Sequence, residues 1–146
     1  MSGQAIVTIG DEDWSMDVAT LPWELSQGLG DLDEIPPDTG MLFDLGYEQM
    51  IEVTTVPMLF SIDIAFFSDD LVIIEVYRDV SPGYMVTSQL PARYFIEVNA
   101  GELNGIEPGT SVSIEYLAAE GIIPAESNII SAVVPFVGFL AMGTFT

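Results

Sequence analysis

Short runs of apolar residues, separated by turn residues, recur along the chain as far as Tyr116, and several alternate with polar residues. Such alternation is typical of β-strands, in which successive side chains point to opposite faces of a sheet. Strands are predicted at Ala5–Ile9, Ser15–Val18, Met41–Leu45, Met50–Thr54, Ile62–Phe67, Leu71–Val80, Tyr94–Val98 and Ser111–Tyr116. Seven or eight short strands at regular spacing predict an all-β fold, either a compact β-sandwich or a small barrel.

Turn residues predict how some of these strands connect. Gly10–Asp13 and Ser68–Asp70 are short polar connections, and each predicts an antiparallel hairpin. One or two short helical turns are also expected, at Trp23–Ser26 and at Glu102–Asn104. Asn99 is expected to cap the second of these turns.

The last eighteen residues, Ile129–Thr146, carry no charge and follow a stretch, 118–128, that has the composition of a linker. The predicted organisation is therefore a β-domain over 1–117, a linker over 118–128 and an apolar C-terminal segment over 129–146. An exposed segment of this kind would aggregate, so something must cover it.

Three interpretations of this segment remain open. It is long enough to span a bilayer as a helix, although Pro135 interrupts it and no Lys, Arg, Trp or Tyr flanks it. It could instead be an assembly arm that contacts a neighbouring subunit, or it could fold back on its own sheet. The residues expected to contact a partner or a membrane are Val133, Val134, Phe136, Val137, Phe139 and Leu140.

The charge balance excludes several kinds of chemistry. The chain has 23 acidic residues against two Arg, with no Lys, His or Cys, and a net charge of −21. Without His or Cys there is no Ser-His or Cys-His nucleophile and no zinc or haem site of the usual kinds. Without Lys there is no Schiff base and no P-loop, and the net charge repels the phosphates of nucleic acids. The sequence therefore predicts neither a common enzyme class nor a nucleic-acid partner.

The acidity itself has two interpretations. A solvated surface suited to salty surroundings is one, because salt shortens the reach of repulsion between like charges. Cation binding is the other, because carboxylates are the ligands that calcium prefers. The acidic clusters are Asp11, Glu12 and Asp13; Asp31, Asp33, Glu34 and Asp38; and Asp69 and Asp70. None has the twelve-residue spacing of a calcium-binding loop, so no cofactor other than a weakly indicated calcium ion is expected.

Stability is expected to rise with ionic strength. Raising NaCl from low to molar concentration screens the mutual repulsion of the acidic side chains, so the melting temperature should increase. Differential scanning calorimetry over this range measures the effect. A melting temperature that stays flat would show that bound cations or ion pairs already compensate the acids.

Two stretches carry a family resemblance. The sequence PARYFIEVNAGELNGIEPG at Pro91–Gly109, together with GMLF at Gly40–Phe43, resembles the domain-of-unknown-function family 192. Met58–Phe67 is similar to the family's Met-x-Phe-Pro-Leu-Asp strand, with Ser61 in place of Pro. The resemblance covers roughly Ala5–Tyr116. It implies a fold and almost no activity.

One departure from the family pattern bears on function. Before the central strand the family usually carries Trp-Met-Lys, and this chain has Thr54–Pro57 at the corresponding place. If the family element forms a ligand site, this chain lacks its cation and its aromatic platform. Any activity that depends on them is therefore not expected here.

The retained residues have structural interpretations that we prefer. Asp63 and Glu97 could form a pair of catalytic carboxylates, as in glycosidases. However, a strand Asp more often accepts backbone N–H bonds at a bulge or pairs with an arginine, here Arg93. Asn99 is interpreted as a cap, and the neighbouring glycines as positions that need a positive φ. The expected structural motif comprises Gly40, Asp63, Arg93, Glu97, Asn99, Gly101 and Gly109.

These features predict a non-enzymatic structural or interaction module. Its acidic β-domain would be held in a larger assembly, such as a surface layer or a virus particle, by protein contacts of residues 129–146, including contacts within a homo-oligomer. A membrane-tethered domain and a domain that binds calcium or a small ligand are the alternatives. No signal peptide is apparent at the N-terminus, where MSGQ lacks basic residues.

Overall fold

The structure, a computed structural model, describes residues 3–20, 29–30 and 32–118. In this part of the chain there are nine strands and no helix, which confirms the all-β fold. The strands are β1 (Gln4–Ile9), β2 (Glu12–Ala19), β3 (Thr39–Gln49), β4 (Glu52–Thr54), β5 (Ile62–Phe67), β6 (Ile73–Val80), β7 (Met85–Thr87), β8 (Ala92–Asn99) and β9 (Val112–Tyr116).

Seven strands form one mixed sheet in the order β6-β5-β8-β3-β2-β1-β9. Only the β2–β3 pair within it is parallel, and the other neighbours are antiparallel. The sheet curls, so that the beginnings of its two edge strands, β6 and β9, lie close together. A bridge between Val72 and Ser111 joins them there. β4 and β7 form a separate antiparallel ribbon.

The curled sheet has an apolar cluster on each face. The inner cluster contains Trp14, Met16, Leu42, Phe67, Ile96 and Leu103 among others. The outer cluster includes Phe43 and Phe95, whose rings stack at 4.2 Å, and Val53 and Val86 from the ribbon. The ribbon therefore covers part of the outer face, so the strands beneath it are buried on both sides.

The predicted connections agree with the structure in part. The hairpins at Gly10–Asp13 and Ser68–Asp70 are confirmed, since β1 pairs with β2 and β5 pairs with β6 in antiparallel fashion. Glu102–Asn104 is not helical but lies in a run of tight turns, with Glu102 N–H donating to Asn99 O at 3.2 Å. β7 was not predicted, because it has only three residues after a Pro-Gly turn, too few to show an alternation of apolar and polar side chains.

Some predictions lie outside the described residues. These are the helical turn at Trp23–Ser26, most of the linker over 118–128 and the whole apolar segment Ile129–Thr146. Within the described part of the chain, no helix has the length and apolar character needed to cross a bilayer.

Candidate functional site

Asp63 lies near the beginning of β5 and is completely buried. Its Oδ1 accepts a hydrogen bond from the N–H of Asp79 at 2.8 Å. Its Oδ2 accepts bonds from the N–H groups of Gly101 at 2.9 Å and Leu103 at 3.0 Å. The carboxylate thus satisfies three backbone donors from two distant parts of the chain, which is one of the two structural roles expected for it.

Arg93 does not contact Asp63, so that part of the expectation is wrong. Its guanidinium binds both oxygens of Asp44, with Nε to Oδ1 at 3.0 Å and Nη2 to Oδ2 at 3.2 Å, and Nη1 donates to Asp69 at 2.8 Å. The reason is strand register. Asp63 pairs with Val98, five residues along β8 from Arg93, and side chains at that separation point to opposite faces.

The same register separates Asp63 from Glu97. Asp63 is paired with Val98 and shares its face, whereas Glu97 is paired with Ile64 and points to the other face. A glycosidase needs its two carboxyl groups on either side of one bond, within about 10 Å and facing the same space. Asp63 and Glu97 are therefore not a catalytic pair.

Glu97 is the unusual acidic residue of the fold. It is 4% exposed, and within the described part of the chain its Oε1 has no hydrogen-bond partner. Its strand neighbours on the outer face are Met41 of β3 and Ile64 of β5. Burial in these apolar surroundings raises the pKa of Glu97 to about 8. The side chain is consequently mostly protonated at pH 7 and can donate a hydrogen bond.

Asn99 does not cap the turn that follows it. Its side-chain nitrogen instead donates to the carbonyl oxygens of Ile35 at 3.1 Å and Pro36 at 3.3 Å, which ties the preceding loop to the end of β8. Of the two N–H groups that a side-chain cap would satisfy, that of Gly101 is bonded to Asp63, and that of Glu102 donates to the backbone oxygen of Asn99. The residue that holds this turn is thus an aspartate nearly forty positions earlier in the chain.

Two further charged side chains fix the same turn. Glu102 accepts bonds from the Trp14 indole at 2.8 Å and from the N–H of Asp38 at 3.1 Å. Arg78 donates to the carbonyl oxygens of Leu103 and Ile106. The turn between β8 and β9 is therefore tied to β2, β5 and β6 by side-chain hydrogen bonds.

The glycines of the motif serve two purposes. Gly101 and Gly105 have φ of 95° and 84°, as expected, and Gly109 in the Pro-Gly turn has φ of 98°; residues with side chains rarely adopt such angles. Gly40 has no such angle. A Cβ at Gly40 would overlap the carbonyl oxygen of Glu97, so glycine there allows β3 and β8 to approach closely.

The predicted acidic clusters do not converge. Asp69 pairs with Arg93, while Asp33, Asp38 and Asp70 are exposed. Asp31 lies outside the described residues. In residues 3–20, 29–30 and 32–118, no three acidic side chains come together in a way that could hold a metal ion.

An apolar surface that the strand pattern did not predict lies at the end of the β4–β7 ribbon. We call it the apolar tip and define it as Val56, Leu59, Tyr84 and Met85, whose exposed fractions are 69%, 60%, 60% and 60%. Backbone bonds join its two sides, because Thr55 N–H donates to Tyr84 O at 2.7 Å. The tip includes Val56, which stands within the stretch where the related family carries Trp-Met-Lys. The departure from the family pattern at Thr54–Pro57 is thus the feature of the sequence that coincides with the tip.

The chain is similar to known proteins in sequence and in fold. The family model DUF192, described as Uncharacterized ACR, matches residues 5–114. A crystal structure of a candidate transcription regulator from Sinorhizobium meliloti 1021 is similar, with a TM-score of 0.74 and 25% identity over 77% of this chain and 94% of that one. A protein of unknown function from Novosphingobium aromaticivorans DSM 12444 has a TM-score of 0.69 and 22% identity over 75% and 83% of the two chains. No curated protein matches the chain.

Proposed function

The chain belongs to the DUF192 family, and we propose that it is a non-enzymatic structural or interaction module. Its acidic β-domain is held in a larger assembly by the apolar segment Ile129–Thr146. A surface layer or a virus particle is the kind of assembly that such a subunit would suit.

The observation that carries this proposal is the contrast in charge between the two parts of the chain. All 23 acidic residues and both arginines precede residue 129, and the last eighteen residues have no charge. Copies of so acidic a domain repel one another, so their association needs an uncharged contact surface. Residues 129–146 supply one.

The geometry of the carboxylates supports a non-enzymatic role. Both oxygens of Asp63 accept backbone bonds, and Glu97 faces the opposite side of the sheet. Arg93, one of the two arginines, is occupied by Asp44 and Asp69. The bonds of Asp63 and Arg93 serve the fold, and none of these polar groups is positioned beside another in a way that suits acid–base catalysis.

The description of the Sinorhizobium protein as a candidate transcription regulator does not extend to this chain. Sequence-independent DNA binding depends on Lys and Arg that neutralise phosphates. This chain has two such residues and a net charge of −21. We therefore propose protein partners for it and no nucleic acid.

Deletion of residues 129–146 tests the proposal. The full-length chain is expected to be an oligomer at molar NaCl, and the truncated chain a monomer, because the uncharged contact is lost. Size-exclusion chromatography with light scattering measures both masses. As a control of unchanged length, the double substitution F136D/F139D should also give a monomer. A full-length chain that is already monomeric would contradict the proposal.

The runner-up is a membrane-tethered domain of the same fold. It is favoured by the length of the uncharged segment, which reaches the lower limit for a spanning helix. The same two chains distinguish it from the assembly proposal. Partition of the full-length chain into detergent micelles as a single copy, with the truncated chain left in the aqueous phase, would support tethering.

A further inference from the structure

The apolar tip differs in charge from the rest of the described surface. The segments that form it, residues 53–62 and 80–92, contain no Asp, Glu or Arg. Four large apolar side chains stand out from them, each at least 60% exposed. Large apolar patches of this kind on an otherwise charged surface usually mark a binding site.

Charge restricts what can occupy the tip. A partner with an acidic surface would be repelled by the surrounding domain, whose net charge is strongly negative. The exposed side chains of the tip favour an apolar occupant, and an uncharged one escapes this repulsion. The chain itself contains one segment of that composition, Ile129–Thr146.

We propose that the apolar tip is the receptor for residues 129–146 of a neighbouring copy of this chain. This inference rests on the proposed function, in which that segment joins copies into an assembly. Contact between two tips alone would give a less stable dimer, because four side chains provide only part of the roughly 800 Å² per partner that a stable interface buries. A segment of eighteen residues extends the contact beyond the tip.

The choice of a neighbouring copy follows from the proposed function, in which residues 129–146 join copies. The segment comes after β9, which is one edge of the seven-stranded sheet, while the tip leads into β5, next to the other edge strand. The bridge between Val72 and Ser111 brings those two edges together. Strand order alone therefore does not separate the two copies, and the cross-linking experiment does.

Cysteine cross-linking can test this directly, because the chain contains no Cys. We would prepare Leu59→Cys and Phe136→Cys as separate variants, mix them under mild oxidation and separate the products without reductant. The expected result is a disulfide-linked dimer of the two different variants. A mixture of Tyr47→Cys with Phe136→Cys is the control, since Tyr47 is 67% exposed and outside the tip, and should give much less dimer.

Other results of this experiment would overturn the inference. A variant carrying both Leu59→Cys and Phe136→Cys that forms only an internal disulfide would show that the segment binds its own copy. Equal cross-linking at Leu59 and Tyr47 would show that the contact is non-specific. Binding of the full-length chain to phosphatidylcholine vesicles without any cross-link would assign the segment to lipid.

A mass measurement separates failure of this inference from failure of the proposed function. Leu59→Asp in the full-length chain is expected to reduce the oligomer to monomer, as deletion of residues 129–146 does. If the deletion dissociates the oligomer and Leu59→Asp leaves it intact, the segment docks elsewhere and only the inference fails. If the unaltered chain is a monomer, the proposed function fails as well.

Discussion

Replacing Asp63 by Asn should lower the free energy of unfolding by at least about 3 kcal/mol, since hydrogen bonds to charged groups contribute roughly 1.5–3 kcal/mol each. The buried carboxylate accepts three backbone bonds, and an amide offers one acceptor oxygen with a donor nitrogen in place of the other. At least one N–H group would then face another donor. Against a typical domain stability of about 5–15 kcal/mol, this is a large loss.

Urea unfolding followed by tryptophan fluorescence measures this effect, because Trp14 is buried in the inner cluster. Asp79→Asn is the matched control. Asp79 is exposed, and its φ of 54° is one that Asn tolerates well. It should change stability by no more than about 0.5 kcal/mol. Equal losses in the two variants would show that the three bonds of Asp63 contribute little to stability.

Replacing Glu97 by Gln should stabilise the protein at alkaline pH and have little effect at acidic pH. The pKa of Glu97 is raised by burial from 4.5 to about 8 in the folded state. Between these values folding takes up a proton, so stability falls by about 1.4 kcal/mol per pH unit. The contribution is fully present below pH 4.5 and is lost as pH rises through 8.

Gln resembles the protonated acid in shape and cannot ionise, so the variant escapes this loss. The difference in free energy of unfolding between variant and wild type should grow to the order of 4 kcal/mol above pH 8. Urea unfolding in molar NaCl at pH 4.5, 6, 7.5 and 9 measures it. Glu52→Gln, on the exposed side of the ribbon, controls for the loss of one negative charge. Parallel stability curves for wild type and Glu97→Gln would refute the prediction.

The strands were largely predictable because their pattern is local. The bounds predicted for β5, Ile62–Phe67, are those observed, since apolar and β-branched residues fill it between clear turn signals. β3 extends on both sides of the predicted Met41–Leu45, because its partner strands set its length. Local pattern identifies a strand, while long-range pairing decides where it ends.

The partners of the polar side chains were harder to predict for the same reason. The choice between backbone N–H groups and Arg93 as partners of Asp63 depends on register across β8, which no local pattern reveals. Glu97 is the one acidic residue of β8, and a glutamate in a strand would ordinarily face solvent. It is buried because its strand is central and its outer face is covered, and the covering residues are remote in sequence.

The position of β9 has a consequence for synthesis of the protein. This strand pairs with β1, so the first and last described strands lie side by side, with Leu117 N–H donating to Gln4 O at 2.9 Å. A nascent chain therefore leaves the edge of β1 unpaired until translation has passed Tyr116. The apolar C-terminal segment is translated only after the seven described strands of the sheet, so the strands that bury the core are all synthesised before the stretch that needs a binding partner.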